Sequence, residues 1–411
     1  MKPPFLNTIG SLAWAFALVF SVLSTTAIFA ADHGDGSTFS EQPEFDIADF
    51  FVFPSMDNGN KRLSFILNVH PNSNERTRFE TDISYRLRTR PINGFAKNPF
   101  QAIVGDDELL VDCRAVNNAE TQSLQCKLHS LKNGVYEELD NAIAEFGERG
   151  GGNNDNFMIF GGLAADLLFS DRARVRMPVW EDRGFNEKKP DGSPVWPGVN
   201  SQDGQNVLSI VVSLDVEKYY NSGESLLAAV SETHRIQAEG ERLIQVDRMG
   251  RVETTVFILR DTNNPLRDLW NSEDTFNINP DNVAAYKLGL QEGLLRLDRF
   301  ELSLEGKDVL DWPIPHPWVD LMMHEFLIVD LRHPVPASQD IVHYLDIEIG
   351  NYLGDQIRAN VVGGRLPNED VIDRTLTIFI NGFNDKPSRG VGVPKPARPA
   401  VDAFPFVPLP F

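Results

Sequence analysis

The segment Thr81-Asp82-Ile83-Ser84-Tyr85-Arg86-Leu87-Arg88 alternates polar and apolar residues, which predicts a β-strand with one face in water. The segment Val207-Leu208-Ser209-Ile210-Val211-Val212-Ser213-Leu214 is nearly all apolar and predicts a buried strand. Shorter runs of the same kinds predict further strands at 49–53, 63–69, 254–259 and 376–380. Because strands occur in both halves of the chain, the sequence predicts a mainly β fold, an antiparallel β-sandwich-like core.

Helices and long loops interrupt these strands. Residues 281–300 predict the clearest helix, because apolar residues recur there at helical spacing, and residues 137–146 predict a shorter one. Polar stretches rich in Gly and Pro predict long loops at 147–156, 181–206 and 353–368. This order of elements does not suggest alternating βαβ units.

The two cysteines, Cys113 and Cys126, enclose a polar centre flanked by apolar residues. This pattern predicts a β-hairpin with a disulfide across its strands, which is expected to contribute roughly 3 kcal/mol through chain entropy. The alternatives are two free thiols or a pair of metal ligands, but no CxxC motif is present.

The N-terminal segment 1–30 has the parts of a signal peptide: a lone lysine, an apolar core at 12–23 and a zone of small residues. Cleavage is expected after Ala30 or Ala31, which places the mature protein outside the cell or in the periplasm. The alternative is an uncleaved anchor, but the apolar core is shorter than the roughly 20 residues of a bilayer span. We expect residues 31–385 to form one elaborate domain, with a possible boundary at 181–206, and residues 386–411 to form a Pro-rich tail.

The composition narrows the classes of partner. The formal net charge is −21, and such an acidic chain repels nucleic acid and anionic membranes while it attracts divalent cations. After signal cleavage no stretch approaches 18 apolar residues, so no membrane span is expected. The sequence contains no G-x-S-x-G, Walker A, G-x-G-x-x-G, H-E-x-x-H or EF-hand motif. The common hydrolase and nucleotide-binding signatures are therefore missing, which does not exclude an enzyme that uses other motifs.

An acidic run near the mature N-terminus supplies the first candidate site: Asp32, His33, Asp35, Asp46 and Asp49. Carboxylates with one imidazole are suited to Ca²⁺ or another divalent cation. If cleavage follows Ala30, the new amine and His33 also form a square-planar site for Cu(II) or Ni(II). Alternatively, Asp46 and Asp49 cap a turn before the following strand.

A histidine cluster is the second candidate: His316, His324, His333 and His343. Such clusters invite a zinc hypothesis, but the gaps show no recurring ligand spacing. Structural or surface roles are the favoured interpretation.

Two arginine-containing turns complete the candidates. Arg248 and Arg251 flank a turn glycine and can recognise an anionic ligand, or they can form internal ion pairs, which an acidic protein favours. Arg365 follows a Gly-Gly pair in a tight loop. Asp370 and Asp373 come next, and Asp370 either caps a helix or meets one of the arginines.

Several blocks together resemble a secreted bacterial family known as a domain of unknown function, number 4331. The similar blocks are Ala31-Asp32-His33-Gly34-Asp35, 46–53, 67–71, 159–163, 206–211, Asp247-Arg248-Met249-Gly250-Arg251, 363–373 and 402–406. The resemblance implies export, a β-rich fold and no established activity. It also implies that the Asp-His start, the Arg-Met-Gly-Arg turn and the Gly-Gly-Arg loop form a candidate site if they converge. His324-Glu325 stands where the family has Pro-Asp, which counts against a family-wide metal site there.

Three functions remain compatible with these observations. The first is an exported structural or ligand-binding protein of the cell envelope or extracellular space that uses a divalent cation, most simply Ca²⁺. The second is a metal-dependent hydrolase that uses His33, Asp35, Asp49 and Asp370 around one point. The third is an envelope or matrix interaction protein without a small ligand, for which the Pro-rich tail is a docking strip.

Overall fold

The computed structural model describes residues 41–118, 121–152, 155–172, 198–221, 223–237, 242–259, 264–305, 310–339, 343–383 and 390–411. The signal segment and the candidate residues Asp32, His33 and Asp35 lie outside the described residues, as does most of the loop at 181–206.

Strands form most of the structure. Their bounds are β1 Ile47–Asp57, β2 Asn60–Val69, β3 Ile83–Lys97, β4 Phe100–Val104, β5 Glu108–Asn117, β6 Gln122–Lys132, β7 Val135–Glu145, β8 Arg149–Gly151, β9 Phe157–Ala165, β10 Asn206–Asp215, β11 Leu226–Ile236, β12 Leu243–Met249 and β13 Leu327–Asp330. The helices are α1 Val216–Tyr219, α2 Asn264–Asn271, α3 Val283–Glu305, α4 Val319–Met322, α5 Asp346–Leu353 and α6 Val371–Asn381. None of the helices in the described ranges is long and apolar enough to cross a membrane.

The strands form one antiparallel sheet in the order β1-β2-β10-β9-β8-β7-β6-β5-β3-β11-β12, with β13 beside β11 and β4 beside β3. Its two ends come together, because the backbone N–H of Ile47 on β1 donates to Asp247 Oδ2 on β12 at 2.9 Å. The sheet is therefore nearly closed and barrel-like. The mainly antiparallel β prediction is confirmed, but the predicted sandwich is wrong. The reason is that β2 pairs with β10 and β3 pairs with β11, which joins both halves of the chain into one sheet.

Alternation along each strand sends one set of side chains into the barrel. Phe50, Phe65 and Tyr85 belong to the main apolar cluster, together with Tyr286 and Leu290 of α3. A second cluster lies on the outer face of β1, β2, β9 and β10, where the C-terminal residues 390–411 cover it. The ring of Phe406 packs edge-on against Phe53, with centroids 5.4 Å apart. This part of the Pro-rich tail thus lies along the barrel surface.

Three predicted elements have a different conformation. The segment 137–146 is predicted as a helix, but residues 137–145 lie in β7, and the burial of Asp140, Ala142 and Ala144 shows the period of two. Residues 254–258 form a π-helical turn and 371–381 form α6, although strands are predicted at 254–259 and 376–380. Short apolar runs that are buried on all sides carry no periodicity, so sequence pattern alone does not separate strand from helix.

The predicted disulfide is confirmed. Cys113 on β5 and Cys126 on β6 stand directly opposite each other, and their sulfurs are bonded at 2.02 Å. Both side chains are fully buried and point into the barrel, so the outward-facing neighbours of each cysteine lie on a covalently joined pair of strands.

Candidate functional site

The barrel is closed by a short strip of chain that the sequence marks only as a Gly-Gly-Arg loop. Arg365 pairs with Val52 of β1: its N–H donates to the Val52 carbonyl at 3.0 Å, and its own carbonyl accepts from Val52 N–H at 3.2 Å. On the other side Gly364 N–H donates to the carbonyl of Ile328 in β13 at 2.7 Å. We call this junction of β1, residues 363–365 and the ends of β12 and β13 the barrel seam.

The two glycines are required by the backbone of the barrel seam. Gly363 and Gly364 have φ of +59° and +64°, a region in which L side chains are disfavoured. A Cβ on Gly364 would lie 2.2 Å from the carbonyl oxygen of Val52, and one on Gly363 would lie 2.4 Å from that of Ile328. Only a residue without a side chain lets this strip approach both strands so closely.

The three candidate arginines are buried in or beside the barrel seam. Each is paired with a buried carboxylate: Arg248 with Glu325 (Nε to Oε2, 3.2 Å), Arg251 with Glu348 (2.9 Å) and Arg365 with Asp49. The guanidinium of Arg248 also lies 4.6 Å from the ring centroid of Trp270. All of these arginines are at most 2% exposed, so the structure places them as internal ion-pair partners that a ligand from solvent does not reach.

Of the proposed metal ligands, Asp46 and Asp49 are described, and both are fully buried. Asp166, after β9, is close enough to sense the charge of Asp49. Burial, followed by that charge, raises the pKa of Asp166 to about 7. Its Oδ1 accepts the backbone N–H of Leu168 at 2.9 Å. In the described ranges no three His, Cys, Asp or Glu side chains are grouped to hold a metal ion.

Asp370 has the capping geometry, because its Oδ1 accepts the backbone N–H of Asp373 at 3.1 Å at the start of α6. Burial, reinforced by the charge of Asp373, raises the pKa of Asp370 to about 8. Asp373 in turn accepts the N–H of Val391 at 2.6 Å and ties the C-terminal residues to the helix. These contacts involve neither Arg248 nor Arg251.

The four histidines lie in different environments. His316 packs against Trp312 with the two rings tilted and their centroids 4.5 Å apart, and burial lowers the pKa of His316 to about 3. Burial likewise lowers the pKa of His324 to about 4. His333 lies 3.8 Å from Asp330, and His343 lies 3.4 Å from Asp346. Each thus has its own local partner or packing.

An open cavity of about 260 Å³ lies at one mouth of the barrel. Its inner wall is formed by the inward-facing residues at the ends of β3, β5, β6 and β11, which include Thr89, Ser130 and Leu227. The rim carries charges of both signs: Asp107, Glu137, Glu224, Lys132 and Lys218.

Two consecutive tyrosines hold α1 across this mouth. The Tyr219 hydroxyl donates to Asp140 Oδ2 on β7 at 2.6 Å, and the Tyr220 hydroxyl lies 3.3 Å from Thr89 Oγ1 on β3. The turn is fixed at its start by Asp215, whose side chain accepts the N–H of Lys218 at 3.0 Å. The tyrosines therefore tether one short helix to two different strands of the rim.

Sequence reasoning missed this mouth. A signal that could have revealed it is the Tyr-Tyr pair shortly after the buried strand 207–214, since buried tyrosine hydroxyls usually find a polar partner.

Comparison with protein-family models, curated proteins and solved structures found no match. The resemblance to family number 4331 therefore stays a prediction. Of the shared blocks, β1, Asp247 and residues 363–365 meet at the barrel seam, while the Asp-His start lies outside the described residues. What converges there is a buried junction.

Proposed function

We propose that this is an exported binding protein that takes a small, hydroxyl-rich molecule at the barrel mouth. The observation that carries the proposal is the cavity of about 260 Å³ that opens beneath the tethered helix α1. Ligand sites occur preferentially in the mouths of β-barrels, where a few polar groups fix the orientation of the ligand. Export, which the signal-like segment suggests, would place such a protein where it meets nutrients or envelope sugars.

The lining favours neutral polar ligands. Thr89, Ser130 and Tyr220 supply hydroxyl groups that both donate and accept hydrogen bonds, and the rings of Tyr219 and Tyr220 supply flat apolar surface. The rim carries both acidic and basic residues, so a strongly charged ligand of either sign meets repulsion as well as attraction. Sugars and polyols match this combination.

Binding is favoured over catalysis at this site. The lining residues in the described ranges include no His, the commonest general base, and no Cys. Asp107, Glu137 and Lys218, which could act instead, lie on the rim.

The hydrolase hypothesis uses His33, Asp35, Asp49 and Asp370, and the last two of these lie in the described ranges. Asp49 is fully buried in an ion pair with Arg365, where a substrate does not reach it. Asp370 is occupied by the hydrogen bond with which it caps α6.

The test is calorimetric titration with glucose, myo-inositol and glycerol, repeated on Tyr220→Phe and Thr89→Val. Saturable binding by the wild type is expected, weakened roughly three- to tenfold in either variant, since one hydrogen bond contributes about 1 kcal/mol. Thr121→Val is the matched control, because that hydroxyl donates to Glu145 Oε2 at 2.8 Å and Thr121 lines neither the mouth cavity nor the groove on the outside of the barrel. Failure of all three probes to bind, or equal loss in the control, would overturn the proposal.

We also propose that a divalent cation, most simply Ca²⁺, belongs to the N-terminal region. Support comes from the acidic run Asp32, His33, Asp35, Asp46 and Asp49 in a protein of net charge −21. Elemental analysis of the natively exported protein is expected to find one stoichiometric metal, and chelator is expected to lower the melting temperature. A metal-free protein with unchanged stability in chelator rejects this second proposal and leaves the mouth proposal intact.

A further inference from the structure

A second concave surface lies on the outside of the barrel, across β3, β5 and β6. It is a groove of about 690 Å³, and the residues that line it are Thr81, Arg86, Leu110, Asp112, Arg114, Ala115, Val116, Gln125, Lys127, His129, Tyr136 and Ile236. We call it the outer groove. It does not share a lining residue with the mouth cavity.

The strand register brings the charged residues of the outer groove together. Arg86, Asp112 and Lys127 occupy one rung across three neighbouring strands. Arg114 lies on the next rung, between Ser84 and Gln125. Because side chains alternate between the two faces of a strand, all four charged side chains point outward, opposite to the disulfide and the buried core.

The outer groove carries an excess of positive charge. Arg114 Nη2 lies 2.9 Å from Asp112 Oδ2, and Arg86 Nη2 lies 3.7 Å from the same oxygen. One carboxylate therefore serves two guanidinium groups. The other oxygen of Asp112 accepts the Ser84 hydroxyl at 2.7 Å, which helps to fix the orientation of the carboxylate.

Lys127 adds a third cation. Its ammonium lies 2.9 Å from Glu138, but both side chains are well exposed, at 58% and 40%. An ion pair so exposed contributes little and rearranges readily. In a chain of net charge −21, a groove with three cationic side chains and one carboxylate among its lining is a local reversal of sign.

The remaining walls suit an organic molecule. The ring of His129 packs edge-on against Tyr136, with centroids 6.4 Å apart, and Tyr136 is half exposed. Leu110 and Ile236 supply apolar surface. The volume is within the range of about 300–1,000 Å³ that is typical of small-molecule sites.

We propose that the outer groove binds a small organic oxyanion, whose carboxylate or phosphate group is held by Arg86 and Arg114 while Lys127 contacts a second acidic group. Guanidinium groups match carboxylate and phosphate oxygens in pairs, and two of them around one shared aspartate keep donors for an incoming anion. Asp112 positions the two arginines and at the same time limits the affinity by its own charge. This site is independent of the ligand proposed for the barrel mouth.

The experiment is calorimetric titration of the full mature chain at low salt with citrate and, separately, with inorganic phosphate. Saturable binding of at least one probe is expected, and it should weaken as salt is added. Stronger citrate binding assigns a polycarboxylate ligand, and stronger phosphate binding assigns a phosphorylated one. Absence of saturable binding by both probes overturns the proposal.

Variants separate recognition from stability. The double variant Arg86→Gln/Arg114→Gln is expected to bind the tighter-binding of the two probes about tenfold or more weakly, because charge-assisted hydrogen bonds are lost. Arg149→Gln is the matched control. That arginine is also half exposed and lies 3.9 Å from Asp155, but it is on β8, outside the groove. The Arg149→Gln variant should therefore bind the probe with the affinity of the wild type. Equal weakening in both variants overturns the assignment.

Asp112→Asn should change the affinity for the anion in the opposite direction. Removing the one carboxylate from the lining should tighten anion binding several-fold, even if the melting temperature falls. A purely structural network predicts a lower melting temperature with no gain in affinity, so unchanged or weaker binding by Asp112→Asn counts against the proposal. Failure of sugars to bind at the mouth leaves this result unaffected, because the probes and the residues differ.

Discussion

The barrel seam and the outer groove are built from the same residue types, arginine and carboxylate, yet they are different kinds of structure. In the seam each arginine has a buried acidic partner; both side chains of the Arg251–Glu348 pair are at most 4% exposed. In the groove two arginines share Asp112, and the side chain of Arg114 is 45% exposed. Burial and stoichiometry, rather than residue identity, therefore separate a structural ion pair from a surface that is open to an anion.

The largest effect is expected from removing one seam cation. Arg251→Met leaves the Glu348 carboxylate buried without its guanidinium, and such a loss costs about 3–5 kcal/mol. Arg114→Met in the groove should cost less than about 1 kcal/mol, because water replaces the lost contact. Urea unfolding of both variants measures the difference, and similar losses would contradict the distinction between seam and groove.

Closure of the seam can be tested without changing any charge. Gly364→Ala combines a strained positive φ with a Cβ that would be 2.2 Å from the Val52 carbonyl, so we expect a loss of about 2 kcal/mol or more. Gly204→Ala is the control: its φ is +80°, but a Cβ there meets nothing within 4 Å. It should show only the backbone cost of about 1 kcal/mol. If the two variants are equally stable, the close approach of residues 363–365 to β1 contributes nothing measurable to the unfolding free energy.

Asp166, beside the seam residue Asp49, should also give the protein a pH dependence. Burial and the charge of Asp49 raise the pKa of Asp166 to about 7, above its unfolded value near 4. The folded state thus holds this proton more tightly. The contribution of Asp166 to the unfolding free energy is therefore largest below about pH 4, and it is lost as the pH rises toward 7. Asp166→Asn should flatten the decline by a few kcal/mol, since raising the pKa from near 4 to about 7 corresponds to roughly 4 kcal/mol over the whole titration. An unchanged slope in urea unfolding from pH 4.5 to 7.5 (roughly the titration window) would reject this assignment.

The smallest effect belongs to the outer edge of the groove. Lys127→Gln removes an exposed pair with Glu138, and the expected change in unfolding free energy is less than about 0.5 kcal/mol. The same variant should still weaken binding of an anionic probe. A loss of more than about 1 kcal/mol in urea unfolding would mean that Lys127 belongs to a structural network like that of the seam.

Much of the fold follows from local pattern. Alternation at 81–88 predicts a strand with one wet face, and its outward residue Arg86 is part of the groove. Spacing predicts the helix at 281–300, and the hairpin pattern predicts the disulfide between Cys113 and Cys126. These features depend on neighbours in sequence, which is why the sequence reveals them.

The closure and the sites depend on distant pairing, which local pattern does not encode. Nothing in the sequence shows that β2 adds to β10, so one barrel-like sheet and two packed sheets are equally compatible with the strand pattern. The seam contacts join residues far apart, as in the Arg365–Asp49 pair. The sign reversal of the groove likewise emerges only when the register places Arg86, Asp112 and Lys127 side by side.

The position of the closing strip sets an order of events during synthesis. Arg365 contacts the Phe50 carbonyl across a separation of 315 residues, so the first strand is made long before the segment that completes its outer edge. Until that segment arrives, β1 presents an open row of backbone donors and acceptors, the feature that drives strand edges to pair with the wrong chain. Contacts of such long range also make folding slow. A chain built this way benefits from being kept unfolded until its whole length is available.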